Sequence, residues 1–140
     1  MPQAAGGALV VNVDGGARGN PGPAAIAAVI SDADGVVLEE RRETIGAATN
    51  NVAEYRALLL GIERAAALGA ERLELIGDSE LVVRQVKGDY KVKDETLRGL
   101  HGQVLDALAG FESWSIRNIP REQNAEADKL VNEALDELAN

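Results

Sequence analysis

The stretch Val10-Val-Asn-Val-Asp-Gly-Gly-Ala-Arg-Gly-Asn-Pro-Gly-Pro23 decides how the rest of the chain is read. An apolar run over residues 9–13, broken only by Asn12, ends on Asp14 and opens into glycines and prolines. Such a run reads as a buried strand, and the residues after it are those that reverse a chain. A second run of small apolar residues covers 24–31. Asp34-Gly35 is a hairpin signal, and residues 36–38, continued to 45 with polar outward positions, supply a third strand. Three strands joined by short turns predict an antiparallel meander.

The hydrophobic period then changes. Asn51 and Glu54 have the spacing of a capping box, with Asn51 as cap and Glu54 reaching back. Behind them Leu58, Leu59, Ile62, Ala65 and Ala66 form a helical stripe that Gly69 stops. Residues 73–77 alternate as a strand and end on Asp78, 79–86 read as a short helix, and Leu97, Leu100, Val104, Leu105 and Leu108 mark another. Residues 114–119 form a last strand. Asn124 then caps a helix with Ala127, Leu130, Val131, Ala134, Leu135 and Leu138 on one face. The order βββαβααβα predicts an α/β fold: a mixed five-stranded sheet, meander plus crossover strands, flanked by helices. Residues 1–7 read as a loose tail and 8–140 as a single domain.

The 140 residues suffice for one sizeable core, which alanine, leucine and valine must fill because aromatics are few. There is no cysteine, hence no disulfide or thiolate metal site. With no signal peptide and no run long enough for a bilayer, the expectation is a cytoplasmic protein without a membrane partner. The net charge of −9 argues against a nucleic-acid partner on charge alone, but acids clustered around divalent cations can attract phosphate.

Asp14 and Asp78 both end strands, and in open α/β sheets sites gather at the carboxyl ends of strands. Glu54 and Asp128 lie early in the helices expected to converge there. Each has a plainer reading: Asp14 as turn former, Glu54 as capping-box partner, Asp78 as helix cap, Asp128 as a charge suited to a helix N-terminus. As a set, four close carboxylates stay ionised only around cations. Oxygen-only ligands favour magnesium or manganese, and a pair of ions about 4 Å apart suits phosphodiester hydrolysis.

The motifs Asp14-Gly-Gly-Ala-Arg-Gly-Asn-Pro-Gly-Pro23, Thr49-Asn-Asn-Val-Ala-Glu54, Asp78-Ser79 and Asn124-Ala-Glu-Ala-Asp128 resemble, in order and separation, those of the type 1 ribonuclease H family. The resemblance runs from about residue 8 to residue 138. It implies an endonuclease that cuts the RNA strand of an RNA–DNA hybrid, leaving 3′-hydroxyl and 5′-phosphate ends. It implies two Mg2+ ions, with Mn2+ as a substitute. Asp14 would bridge both ions, Asp128 would complete one site, and Glu54 and Asp78 the other. The hybrid-contacting asparagines map onto Asn20, Asn50 and Asn51, and the backbone amides of Gly15 and Gly16 would face the substrate. No obligate protein partner is implied, and a monomer is expected.

The chain also departs from that family's pattern. Many relatives carry a histidine on the loop before the last aspartate, whereas residues 119–124 hold none and Arg121 is the stand-in. An arginine steers phosphate but is no base at neutral pH. The sole histidine, His101, reads as an ordinary helix residue. A basic protrusion found in some relatives shrinks here to Arg84, Lys87, Lys91 and Lys93 beside Asp89, a patch expected to bind weakly and to yield to salt. Trp114 is expected to pack at a strand end. Glu80 is a fifth acid near Asp78, which either adds repulsion or points away. Two other classes remain: an inactive nucleic-acid-binding module of the same fold, disfavoured because it has no reason to keep four mutually repelling acids, and a phosphotransferase or phosphatase. A nucleotide-binding enzyme would want its glycine loop to lead into a helix, whereas here it leads into a strand.

Overall fold

The computed structural model describes residues 7–140. The strands are β1 (Ala8–Ala17), β2 (Gly22–Asp32), β3 (Val37–Ala48), β4 (Arg72–Gly77) and β5 (Ser113–Asn118), and the helices α1 (Asn50–Ala67), α2 (Glu80–Lys87), α3 (Glu95–Leu108) and α4 (Ala125–Ala139). They follow one another in the predicted order, with one extra 3-10 turn (Arg121–Gln123) before α4. The strands form one sheet in the order β3-β2-β1-β4-β5. β1–β2 and β2–β3 pair antiparallel, while β1–β4 and β4–β5 pair parallel. The expected tail lies outside the described residues except Gly7, whose carbonyl accepts from the N–H groups of Glu71 and Arg72.

β2 shows why its run has no polar alternation. Ala24, Ile26, Ala28 and Ile30 pack in the core beneath α1, α2 and α3, and Ala25, Ala27 and Val29 pack against Ala127, Leu130, Val131, Ala134 and Leu135 of α4. A strand covered on both faces reads as continuously apolar. β1 sends Leu9, Val11 and Val13 to the three-helix side. There α1 comes so close that a Cβ on Gly61 would stand 2.6 Å from Val11 Cγ1. Trp114, on the edge strand β5, keeps 37% of its surface exposed.

At the sheet's other edge β3 carries Glu39, Glu40, Arg41, Arg42 and Glu43, charges that blunt an open edge. The Arg42 guanidinium crosses to Glu133 (2.7 Å) and Glu137 (2.6 Å), tying α4 over this edge.

Two helix starts differ from expectation. Thr49, not Asn51, caps α1, its Oγ1 accepting from the Val52 N–H (3.2 Å). The helix begins before Asn51, and Glu54 is freed from any capping box. Asn124 does precede α4, but its side chain makes no cap bond, because other groups claim it, as described next.

Candidate active site

The parallel pairing of β1 with β4 brings Asp14 and Asp78 to the same end of the sheet. α1 adds Glu54 across β1. Carboxylate oxygens of Asp14, Glu54 and Asp78 lie within 4.8 Å of one another. Asp128, in the first turn of α4, joins them at the cleft, near enough for its charge to act on Asp14. All four line one cleft of about 450 Å3 with Gly15, Gly16, Asn50 and Arg121.

Burial pushes the Asp14 carboxyl up to about 7; the Asp78 and then the Asp128 charge add to the rise, and Arg121 opposes it. Glu54 is pushed well above the usual range, first by burial and then by Asp14 and Asp78, against a hydrogen bond from the Gly15 N–H. Buried like charges at this range repel unless cations hold them. An all-oxygen donor set, negative and partly open, fits hard divalent ions such as magnesium and manganese. The residues that would hold them are these four.

Gly15 has a different task from the expected one. Its N–H donates to Glu54 Oε1 at 2.9 Å, so that amide is engaged within the site rather than facing substrate. A Cβ there would stand 2.3 Å from the Ala53 carbonyl oxygen, so it is the α1 backbone that excludes a side chain. Gly16 lines the cleft, where a Cβ would make only ordinary contact with Val131 Cγ1 at 3.9 Å and Asn50 Oδ1 at 4.0 Å.

The asparagines interlock. Asn50 Oδ1 accepts from the Ala17 N–H at 2.8 Å, and the Asn50 N–H donates to Asn20 Oδ1 at 2.9 Å. Asn20, Asn50 and Asn51 line a second groove of about 320 Å3, floored by Thr49 and Leu97, and Asn50 also borders the acid cleft. Arg121 Nη2 stands 3.2 Å from Asp128 Oδ1 with three-quarters of its side chain exposed. Glu80 turns along α2 to Arg84 at 2.9 Å, away from the cluster. In the basic patch, Arg84 also meets Asp89 and lies over the Tyr90 ring, while Lys91 and Lys93 share a groove with Arg98 and His101. His101 Nε2 lies 3.0 Å from the Gln85 carbonyl oxygen.

Asn124 is the residue whose role the sequence understated. Buried to 2% exposure, its Nδ2 donates to the Val13 carbonyl (2.8 Å) and to Asp78 Oδ2 (3.1 Å). Its Oδ1 accepts from Asn12 Nδ2 at 3.1 Å. One amide thus fixes the start of α4 against β1 and holds Asp78. The available signal was Asn12, a polar residue inside an apolar run, which requires a buried partner.

Comparison with known proteins gives this geometry a family. A family profile described as reverse transcriptase-like matches residues 12–134. Ribonuclease HI of Halobacterium salinarum is 46% identical over 132 residues, covering 94% of this chain and 66% of that protein. The crystal structure of RNase H1 from the same archaeon superposes with a TM-score of 0.92, covering 94% of this chain and 99% of the other. The chain belongs to the type 1 ribonuclease H family. Within it, the bifunctional protein Rv2228c of Mycobacterium tuberculosis is 45% identical over 132 residues, 94% of this chain and 36% of that protein. The chain therefore spans about two thirds of the halobacterial relative and about a third of the mycobacterial one. LC11-RNase H1, solved in complex with an RNA/DNA hybrid, is 43% identical with a TM-score of 0.90, covering 94% of this chain and 99% of that one.

Proposed function

We propose that the chain hydrolyses the RNA strand of RNA–DNA hybrids endonucleolytically, using two divalent ions, Mg2+ by preference. The reading is carried by one observation: carboxylates from β1, α1 and the end of β4 converge within 4.8 Å, with Asp128 lining the same cleft. The hybrid bound to LC11-RNase H1 supports the substrate class.

Asp14, Glu54, Asp78 and Asp128 would hold the ions. When bound, these supply water activation and charge neutralisation at the transferring phosphoryl group. The chain's own contribution is placement. The Gly15 amide and Asn124 fix Glu54 and Asp78 respectively, so the acids do not splay apart when unneutralised. Asn20, Asn50 and Asn51, in the adjoining groove, are placed to read the minor groove, where RNA presents 2′-hydroxyls that DNA lacks. Arg121 steers phosphate by charge and takes no proton. Hydrolysis leaves a 3′-hydroxyl and a 5′-phosphate, and the protein acts as a cytoplasmic monomer.

The test is cleavage of an end-labelled hybrid with magnesium, beside single-stranded RNA, duplex RNA, duplex DNA and an EDTA control, with Asp14→Asn protein in parallel. Cutting confined to the hybrid's RNA strand, and lost with EDTA and in the variant, is the expected result. A folded protein that binds hybrid but cuts nothing with magnesium or manganese would make it a binding module.

A further inference from the structure

The acid cleft carries a second guanidinium to which none of the motifs assigns a task. Arg18 lines the same cleft as the four carboxylates, and it and Arg121 are the only cationic side chains there among the described residues. Its Nη2 donates to Asp136 Oδ1 at 2.7 Å and approaches Asn132 Oδ1 at 3.4 Å. Nε and Nη1 have no partner among the described residues.

The backbone beneath it is fixed. The Arg18 N–H donates to the Pro23 carbonyl at 2.9 Å, and a Cβ on Gly22 would stand 2.1 Å from the Arg18 carbonyl oxygen. The next residue back, Ala17, is tied to Asn50. Its head is held by α4, the helix that carries Asp128. Asn132 and Asp136 follow Asp128 by about 6 and 12 Å along the helix axis. The guanidinium is thus anchored one to two helical turns along α4 from Asp128. An ordinary surface ion pair turns its donors to solvent and contributes little. This one leaves Nε and Nη1 as donors beside a cleft that four carboxylates line, where a bound phosphate would meet a charge-assisted hydrogen bond.

Resting on the hydrolase reading above, we propose that Arg18 is a phosphate clamp: it grips a backbone phosphate of the cleaved strand beside the scissile one and is pre-positioned by Asn132 and Asp136. The clamp gives an acidic protein a fixed cation where the strand leaves the metal-binding acids, and it acts on binding rather than on the chemical step.

The experiment measures KM and kcat on a labelled hybrid, and Kd by fluorescence anisotropy of the same hybrid, across a salt series. The proteins are wild type, Arg18→Ala, Arg18→Lys and Asp136→Asn. Arg18→Ala should raise KM and Kd about five- to tenfold near 0.1 M salt, move kcat less than about twofold, and flatten the salt slope by about 0.7–0.9, one phosphate contact. Arg18→Lys keeps the charge but loses the planar guanidinium that can bond α4 and phosphate at once, so it should restore the slope and only part of the affinity. Asp136→Asn loosens the guanidinium that Asp136 pre-positions and should weaken binding by less than Arg18→Ala, with the slope unchanged. If Arg18→Ala leaves KM, Kd and slope unchanged while wild type cuts, the clamp is wrong and the hydrolase reading stands. If Arg18→Ala and Asp136→Asn instead lower Tm and kcat alike with the slope intact, the pair merely fastens α4, and the clamp is again wrong. Wild-type protein that binds hybrid without cutting would sink the hydrolase reading but leave the clamp to be judged by Kd; no binding at all would sink both.

Discussion

The two ends of α1 treat carboxylates in opposite ways. Near its C-terminal end Arg64 reaches Glu39 of β3 at 2.5 Å, and Arg41 joins at 3.0 Å. The Arg64 hydrogen bond, with help from Arg41, holds that carboxyl below its usual range. Near its N-terminal end Glu54 meets Asp14 and Asp78, and its carboxyl is held well above that range. The same helix thus supplies a cation to an acid at one end and an acid to acids at the other. The chain has 14 lysines and arginines for its 23 acids and sets two of them on Glu39 alone. The shortage at the strand ends is therefore local, and the repulsion it leaves is what added cations would relieve.

The strongest way to break that contrast is to remove one of the repelling charges. Asp14→Asn and Asp78→Asn should each lower hybrid cleavage at least about a thousandfold, since each deletes a ligand for charge stabilisation worth several kcal/mol in the transition state. Both should fold, and metal-free Asp14→Asn should be more stable than wild type. Wild-type rates in either variant, or a metal-free Asp14→Asn protein that melts lower, would remove the strand-end acids from the proposed chemistry.

The next effect is a pH profile with a definite sign. Below about pH 4 Asp14 is protonated in both folded and unfolded chains. Between its ordinary 3.8 and its folded value of about 7 the unfolded chain has released the proton that the folded chain still holds, so stability falls as pH rises. Above about 7 the full penalty is present and constant. Glu54 acts in the same direction. The stability advantage of Asp14→Asn over wild type, without metal, should be near zero at pH 4, grow up to about pH 7, and then level off. Magnesium at pH 8 should raise the wild-type Tm more than the variant's. A difference that stays flat from pH 4 to pH 8 would mean that Asp14 ionises normally in the fold.

Arg121 is the cation that the acid end does possess. Arg121→Ala should slow steady-state turnover by about tenfold, about 1.4 kcal/mol, and single-turnover cleavage by less. Equal losses in both would move its role from phosphate steering and release to the chemical step.

How much of this could be read from the sequence follows from where each signal resides. The acids were legible because each sits at the end of a strand or start of a helix, where the change in hydrophobic period is sharp. Asp14 follows a buried run, and Asp128 opens the stripe of α4. β2 and the element order were legible for the same reason. What escaped depended on partners far along the chain. Thr49 and Asn51 are both plausible caps, and only the tertiary claim of Gly15 on Glu54 decides between them. Asn124 has the residue type and place of a cap, yet its amide is taken by Val13, Asp78 and Asn12. Arg18 drew no reading of its own, since nothing local reveals Asn132 and Asp136 across the cleft. Helix periods and turn residues are local information; hydrogen bonds that span the chain are not.

The smallest effect belongs to the well-matched end. Glu39→Gln keeps the shape of the side chain and an acceptor oxygen for Arg64 or Arg41, but removes the charge that both arginines face. The group is partly exposed and lies at a sheet edge, so water screens it. The expected loss in Tm is a few degrees at most, reduced further by salt. Its sign with pH is opposite to that at Asp14. Because the Glu39 carboxyl is held low, its contribution is present above the unfolded value and is lost as pH falls through the folded one. Cleavage of hybrid should be unaffected, since Glu39 lies at the other end of α1 from the acid cluster. A Glu39→Gln protein that gains as much stability as Asp14→Asn would show that the paired acid is no less strained by its surroundings than the crowded ones. A variant that loses activity at unchanged stability would show that the two ends of α1 are coupled.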